Sequence, residues 1–112
     1  MKSSLLFLTG IFFSLQAAVA QDPYMDSLSQ YLKGPDNRQK ITAISDLAWE
    51  YNRTDVKKAI DLSLQGLTIA TRLGLKDKLS QVNEDLGVSY FYKRDFDSAA
   101  FYYKAADASR KT

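Results

Sequence analysis

From Tyr24 onward, apolar side chains recur three and four residues apart, in runs separated by short polar breaks. That period is the mark of helices with one buried face. Tyr24, Leu28 and Tyr31/Leu32 predict a first helix, stopped by Lys33-Gly34-Pro35-Asp36-Asn37. Gly34 reads as its C-terminal stop, and Asp36 or Asn37 as the cap of the next helix. Ile41, Ile44, Leu47, Ala48 and Tyr51 predict a second helix, broken at Asn52-Arg53-Thr54-Asp55. Val56, Ala59, Ile60, Leu64, Leu67, Ala70 and Leu73 predict a third, ended by Gly74. Leu79, Val82, Leu86, Gly87 and Tyr90 predict a fourth. The fifth starts after Asp95 and carries Phe96, Ala99, Ala100, Tyr103 and Ala106. Both prolines, Pro23 and Pro35, precede helical pattern. Sustained two-residue alternation is absent, so the expected fold is all-α, with antiparallel helix pairs and no strands.

The first twenty residues follow another rule. Lys2 precedes an apolar run from Leu5 to Leu15, and Ala18-Val19-Ala20 supplies a small-x-small exit. This is the layout of a secretory signal peptide. The run is shorter than the roughly 20 residues that span a bilayer. Cleavage after Ala20 is expected, with the mature chain starting at Gln21, exported and most simply periplasmic. If the segment is retained, the chain is membrane-tethered instead. There is no cysteine to lipidate.

An internal repeat organises the remainder. Ile44-Ser45-Asp46-Leu47-Ala48-Trp49-Glu50-Tyr51 aligns without gaps on Asn83-Glu84-Asp85-Leu86-Gly87-Val88-Ser89-Tyr90, 39 residues later. Each segment is followed by a polar break and a helix with an early alanine, Ala59 or Ala99. The arrangement resembles the tetratricopeptide repeat, W-x2-L-G-x2-Y…A-x3-F…P. The second unit matches at Leu86, Gly87, Tyr90, Ala99 and, conservatively, Tyr103, with Ala106 in the later small slot. The first matches at Leu47, Tyr51 and Ala59, with Ala48 for glycine, Ser63 in the aromatic slot and Gly66 in the later small slot. The resemblance implies helix pairs stacked as a short right-handed solenoid. It divides the chain into a signal peptide (1–20), an N-terminal helix and linker (21–36), and repeat-like units at 37–74 and 75–112. It also implies that Tyr90, Phe96 and Tyr103 are core, packed around the close approach at Gly87.

Composition narrows the chemistry. Histidine and cysteine are both absent. A thiolate nucleophile, a zinc site of the usual ligands and a serine–histidine triad therefore cannot be built. With no catalytic motif either, the expectation is a non-enzymatic chain without cofactor or metal. The net charge of +2 is too small to point to a polyanion. Lys93, Arg94 and Lys104 near the aromatic rings are matched by acids, so no nucleic acid is expected. Glu84-Asp85 reads as solvated surface, since neighbours on a helix diverge by about 100°. Asn52-Arg53-Thr54 matches the glycosylation acceptor pattern, a short motif common by chance.

In the family resembled, the first helix of each pair lines a concave groove. The corresponding residues are Thr42, Ser45, Trp49, Asn52 and Arg53 in one unit, and Gln81, Glu84, Val88, Phe91 and Tyr92 in the other. Trp49, Asn52, Arg53, Glu84, Val88, Phe91 and Tyr92 are the expected partner-binding residues. Trp49 reads equally as a groove anchor or as packing against a neighbouring helix. Some relatives hold a peptide's terminal carboxylate with lysine and asparagine; Ser45, Trp49, Glu84 and Val88 occupy those places here. The expected function is a module that binds a protein or peptide, or alternatively the sensory N-terminal region of a larger signalling protein. The last helix adds Phe101, Tyr102 and Ala105 on its outer side, which would favour self-association.

Overall fold

The computed structural model describes residues 22–111. The signal-peptide assignment lies outside the described residues. Within them are five helices and no strands: α1 Pro23–Leu32, α2 Arg38–Tyr51, α3 Val56–Leu73, α4 Lys76–Tyr92 and α5 Phe96–Lys111. Consecutive helices pack as antiparallel neighbours, and α2 also touches α4. None of these helices is long and apolar enough to cross a membrane.

Short polar residues set the helix starts. Asp22, Asn37 and Asp55 each accept a backbone N–H from the first turn of α1, α2 and α3. Asp95 does so for α5, through Ser98 N–H at 3.2 Å. Asn37, not Asp36, caps α2; Asp36 instead pairs with Lys40 and Arg72, tying the linker to α2 and α3. Those cations hold the Asp36 carboxyl below its ordinary range.

Two helices end in the same motif by different means. At the end of α3, Leu75 N–H reaches Ala70 C=O and Gly74 N–H reaches Thr71 C=O. Gly74 supplies the left-handed φ of 68° that this double bond needs. At the end of α4, Asp95 N–H reaches Tyr90 C=O and Arg94 N–H reaches Phe91 C=O. Here the left-handed residue is Arg94, with φ 66°.

The core is built from α2, α3 and α4. Ile41, Ile44, Leu47, Ile60, Leu62, Ile69, Val82 and Leu86 are buried together. Met25, Leu28 and Leu32 bring α1 against them, and Tyr90 and Tyr102 extend the cluster to α5. Gly66 lies where a Cβ would meet Ile44 Cγ2 at 3.2 Å and Val82 Cγ2 at 3.4 Å. That absence of side chain lets α3 sit close to both neighbours.

Three core expectations change. Phe96 is 57% exposed, because as the first residue of α5 it projects past the packed part of the helix. It meets Phe91 edge-on, with ring centroids 5.4 Å apart. Of the adjacent rings Tyr102 and Tyr103, it is Tyr102 that packs against the core, stacked on Tyr90 at 5.4 Å and 4°. Tyr103 lays one side of its ring over Gly87 and leaves 40% of the residue exposed. On α3 Ile60 is buried as expected, together with Leu62 and Ile69, whereas Leu64 and Leu73 are exposed.

Candidate functional site

The α2–α4 contact is a polar ladder. Arg38, Thr42, Ser45, Trp49 and Asn52 are spaced four, three, four and three residues apart, one stripe down α2. Such spacing keeps side chains on one face. Each meets a partner on α4. Arg38 pairs with Asp77. Lys78 Nζ donates to Thr42 Oγ1 at 2.8 Å and Gln81 Nε2 donates to Ser45 Oγ at 3.1 Å. Ser45 Oγ and Trp49 Nε1 donate to the two carboxylate oxygens of Asp85, at 2.5 and 3.0 Å. Ser89 Oγ donates to Asn52 Oδ1 at 2.6 Å. Residue numbers rise together on both helices, so α2 and α4 run parallel.

Asp85 is the centre of the ladder and only 4% exposed. Burial pushes its carboxyl up to about 6, against the opposing pull of the Ser45 and Trp49 hydrogen bonds; Glu84 and Asp46 add to the rise. The reading of Glu84-Asp85 as a solvated pair is therefore half corrected. Glu84 is partly exposed and pairs with Arg110 of α5. Asp85, one residue on, is turned by about 100° into the α2 interface.

The expected groove residues separate into different settings. Trp49 keeps 49% of its surface open while its indole N–H is anchored on Asp85, so it is a pinned surface ring. Asn52 is buried inside the ladder rather than presented to a partner, which also takes its amide out of reach as a glycosylation acceptor. Arg53 is exposed in the α2–α3 turn. Glu84 faces α5, and Val88 is half-buried. Phe91 and Tyr92 are exposed and line an open depression of about 400 Å³ with Arg94 and Phe96. Tyr92 is seven residues after Asp85, two helical turns on, and continues the stripe that faces α2.

A second hollow, of about 370 Å³, has α2 as its floor and α1 and α4 at its sides. Leu28 and Tyr31 of α1, Arg38, Gln39, Thr42 and Asp46 of α2, and Lys78 of α4 line it. Among these, only Thr42 stood in the groove expected from the sequence. No group of three or more metal-ligating side chains occurs among the described residues. Compared with protein-family models, curated proteins and solved structures, the chain matches none.

Proposed function

We propose that the chain is a non-enzymatic binding module of the tetratricopeptide-repeat kind, exported to the periplasm, which holds an extended protein or peptide segment along the surface of α2 and α4. The observation that carries this reading is the parallel placement of those two helices. They are the two segments related by the 39-residue repeat, and they lie in contact with α3 between them in sequence. Trp49 and Tyr92 belong to their facing stripes and remain half exposed. Half-exposed aromatics held in fixed orientations give large contact area at low entropy cost and are frequent hot spots of recognition.

The test is a selection of random peptides displayed on phage against the mature chain. Affinities of the selected peptides are then measured by calorimetry. Trp49→Ala and Tyr92→Ala should each weaken binding by about tenfold or more while helical content is retained. Tyr90→Ala, which removes a ring packed on the core, should lower the melting temperature instead. Enrichment of no peptide, or unaltered affinity in both surface variants, would overturn the reading.

A further inference from the structure

The hollow between α1, α2 and α4 holds two charges that the fold leaves unmatched. The Lys78 ammonium is half-buried and donates only to neutral oxygens, Thr42 Oγ1 at 2.8 Å and Gln81 Oε1 at 3.1 Å. An ammonium has three N–H donors, so one remains for a ligand. Asp46 is also half-buried, and among the described residues it has no ion-pair partner and no side-chain hydrogen-bond donor. The nearby Arg38 differs, since Asp77 already neutralises it. Partly desolvated charges that lack a counter-charge are costly, and a bound molecule of opposite charge relieves that cost.

The two charges have a defined spacing. Lys78 is held on Thr42, and Asp46 stands one helical turn beyond Thr42, about 5–6 Å along the same face. Lys78 and Asp46 do not pair with one another. Leu28, half-buried, and Tyr31, which shows half its surface, form the apolar part of the wall, beside the polar Arg38 and Gln39. The volume sits at the small end of ligand pockets, which run from roughly 300 to 1,000 Å³. A carboxylate and an ammonium on one carbon, with an apolar branch from that same carbon, describe one ligand class.

We propose that this hollow binds a free α-amino acid with an apolar side chain, its carboxylate on Lys78, its ammonium on Asp46 and its side chain against Leu28 and Tyr31. The site needs nothing from the repeat reading; it rests on the placement of three helices. A residue inside a peptide chain carries neither charge, so it cannot replace the free amino acid.

The experiment is calorimetric titration of the mature chain with L-leucine, L-phenylalanine and glycine, and with N-acetyl-leucine and leucinamide. Leucine or phenylalanine should bind saturably, and glycine at least tenfold more weakly. Blocking either end should cost tenfold or more on the unmodified protein, which is informative whether or not any variant folds. Lys78→Gln should weaken leucine tenfold while leaving leucinamide unchanged, and Asp46→Asn should do the same for leucine against N-acetyl-leucine. Absence of saturable binding by leucine and phenylalanine up to millimolar concentration overturns the proposal. So does equal affinity for the blocked and free forms, or parental leucine affinity in both variants.

Discussion

The indole N–H of Trp49 on α2 donates to the buried carboxylate of Asp85 on α4, 3.0 Å away. A half-exposed ring and a buried carboxylate are thus two ends of one hydrogen bond. Ser45 takes the other carboxylate oxygen, and Gln81 backs Ser45. The exposed ring owes its orientation to a buried charge on the neighbouring helix.

That charge makes stability depend on pH in an identifiable window. Burial raises the folded-state value of Asp85 to about 6, above the ordinary carboxylate value of 3.8. Between roughly pH 4 and 6 the folded chain therefore binds more protons at this position than the unfolded chain. The contribution is complete below pH 4 and is lost as pH rises through 6, with a limit of about 3 kcal/mol for two pH units. Asp85→Asn keeps an acceptor for Trp49, and its amide can donate to Ser45, whose oxygen has two acceptor sites. We expect the variant to be more stable than the parent at pH 8, and the gap to shrink towards pH 4. Urea midpoints of both proteins across that range check this. Asp36, Asp77 and Asp95 are shifted downward and act in the opposite sense, losing stability as pH falls. They are common to both proteins, so the difference isolates Asp85. Trp49 is the single tryptophan, and its fluorescence should titrate near pH 6 in the parent alone.

The ladder also marks what the sequence could and could not reveal. Ile41, Ile44, Leu47, Val82 and Leu86 stand out by period, and all are essentially fully buried. Their burial follows from hydrophobicity alone. Ser45, Asn52, Asp85 and Ser89 have the same helical period, but as polar residues they resemble a solvated face until the facing helix is placed. Their partners are 36 to 40 residues away, beyond any local pattern. The signal that could have found them is the pairing of two polar stripes in the same register of the two aligned segments, 39 residues apart. Adjacent aromatics pose another difficulty. Tyr102 and Tyr103 differ by about 100° in direction, and only the position of Tyr90 decides which ring joins the core.

Arg94 records a mismatch in the repeat. Tyr51 precedes its helix-capping Asp55 by four residues, whereas Tyr90 precedes Asp95 by five. The extra residue is absorbed by the left-handed conformation of Arg94. A side chain in that region costs about 1–2 kcal/mol, and glycine avoids the cost. We expect Arg94→Gly to raise stability by about 1 kcal/mol, read as a higher urea midpoint with unchanged slope. A loss of stability would show that the Arg94 side chain contributes more than its backbone strain removes.

Ser63 carries the one buried side-chain polar atom without a hydrogen-bond partner among the described residues. It is fully buried in α3, four residues after Ala59, as Tyr103 stands four residues after Ala99. A desolvated hydroxyl without a partner costs about 1–3 kcal/mol. Alanine removes it, leaves almost no void and is the better helix former. Ser63→Ala should stabilise the chain by about 1 kcal/mol, seen as a rise in melting temperature of several degrees. An unchanged or lower melting temperature would mean that the hydroxyl is satisfied in solution.

Gly87 of α4 lies directly under the ring of Tyr103 of α5. A Cβ on Gly87 would lie 2.8 Å from Cδ1 of Tyr103, 2.9 Å from Cε1 and 3.0 Å from Cγ. These atoms include the root of the ring, so the whole side chain must swing away or the helices must separate. In an isolated helix, alanine would be better than glycine by about 1 kcal/mol. Here overpacking opposes that gain at a cost of about 1–3 kcal/mol. We expect Gly87→Ala to destabilise the chain by about 1 kcal/mol net. In a Tyr103→Ala background the obstacle is gone, and the same substitution should become stabilising by up to about 1 kcal/mol. The first unit shows the reciprocal solution, with Ala48 at the glycine position and Ser63 at the tyrosine position. A double-mutant cycle by urea unfolding measures the coupling directly. If Gly87→Ala has the same effect with and without the ring, Tyr103 does not constrain the helix spacing, and its half-exposed ring is free to serve another surface.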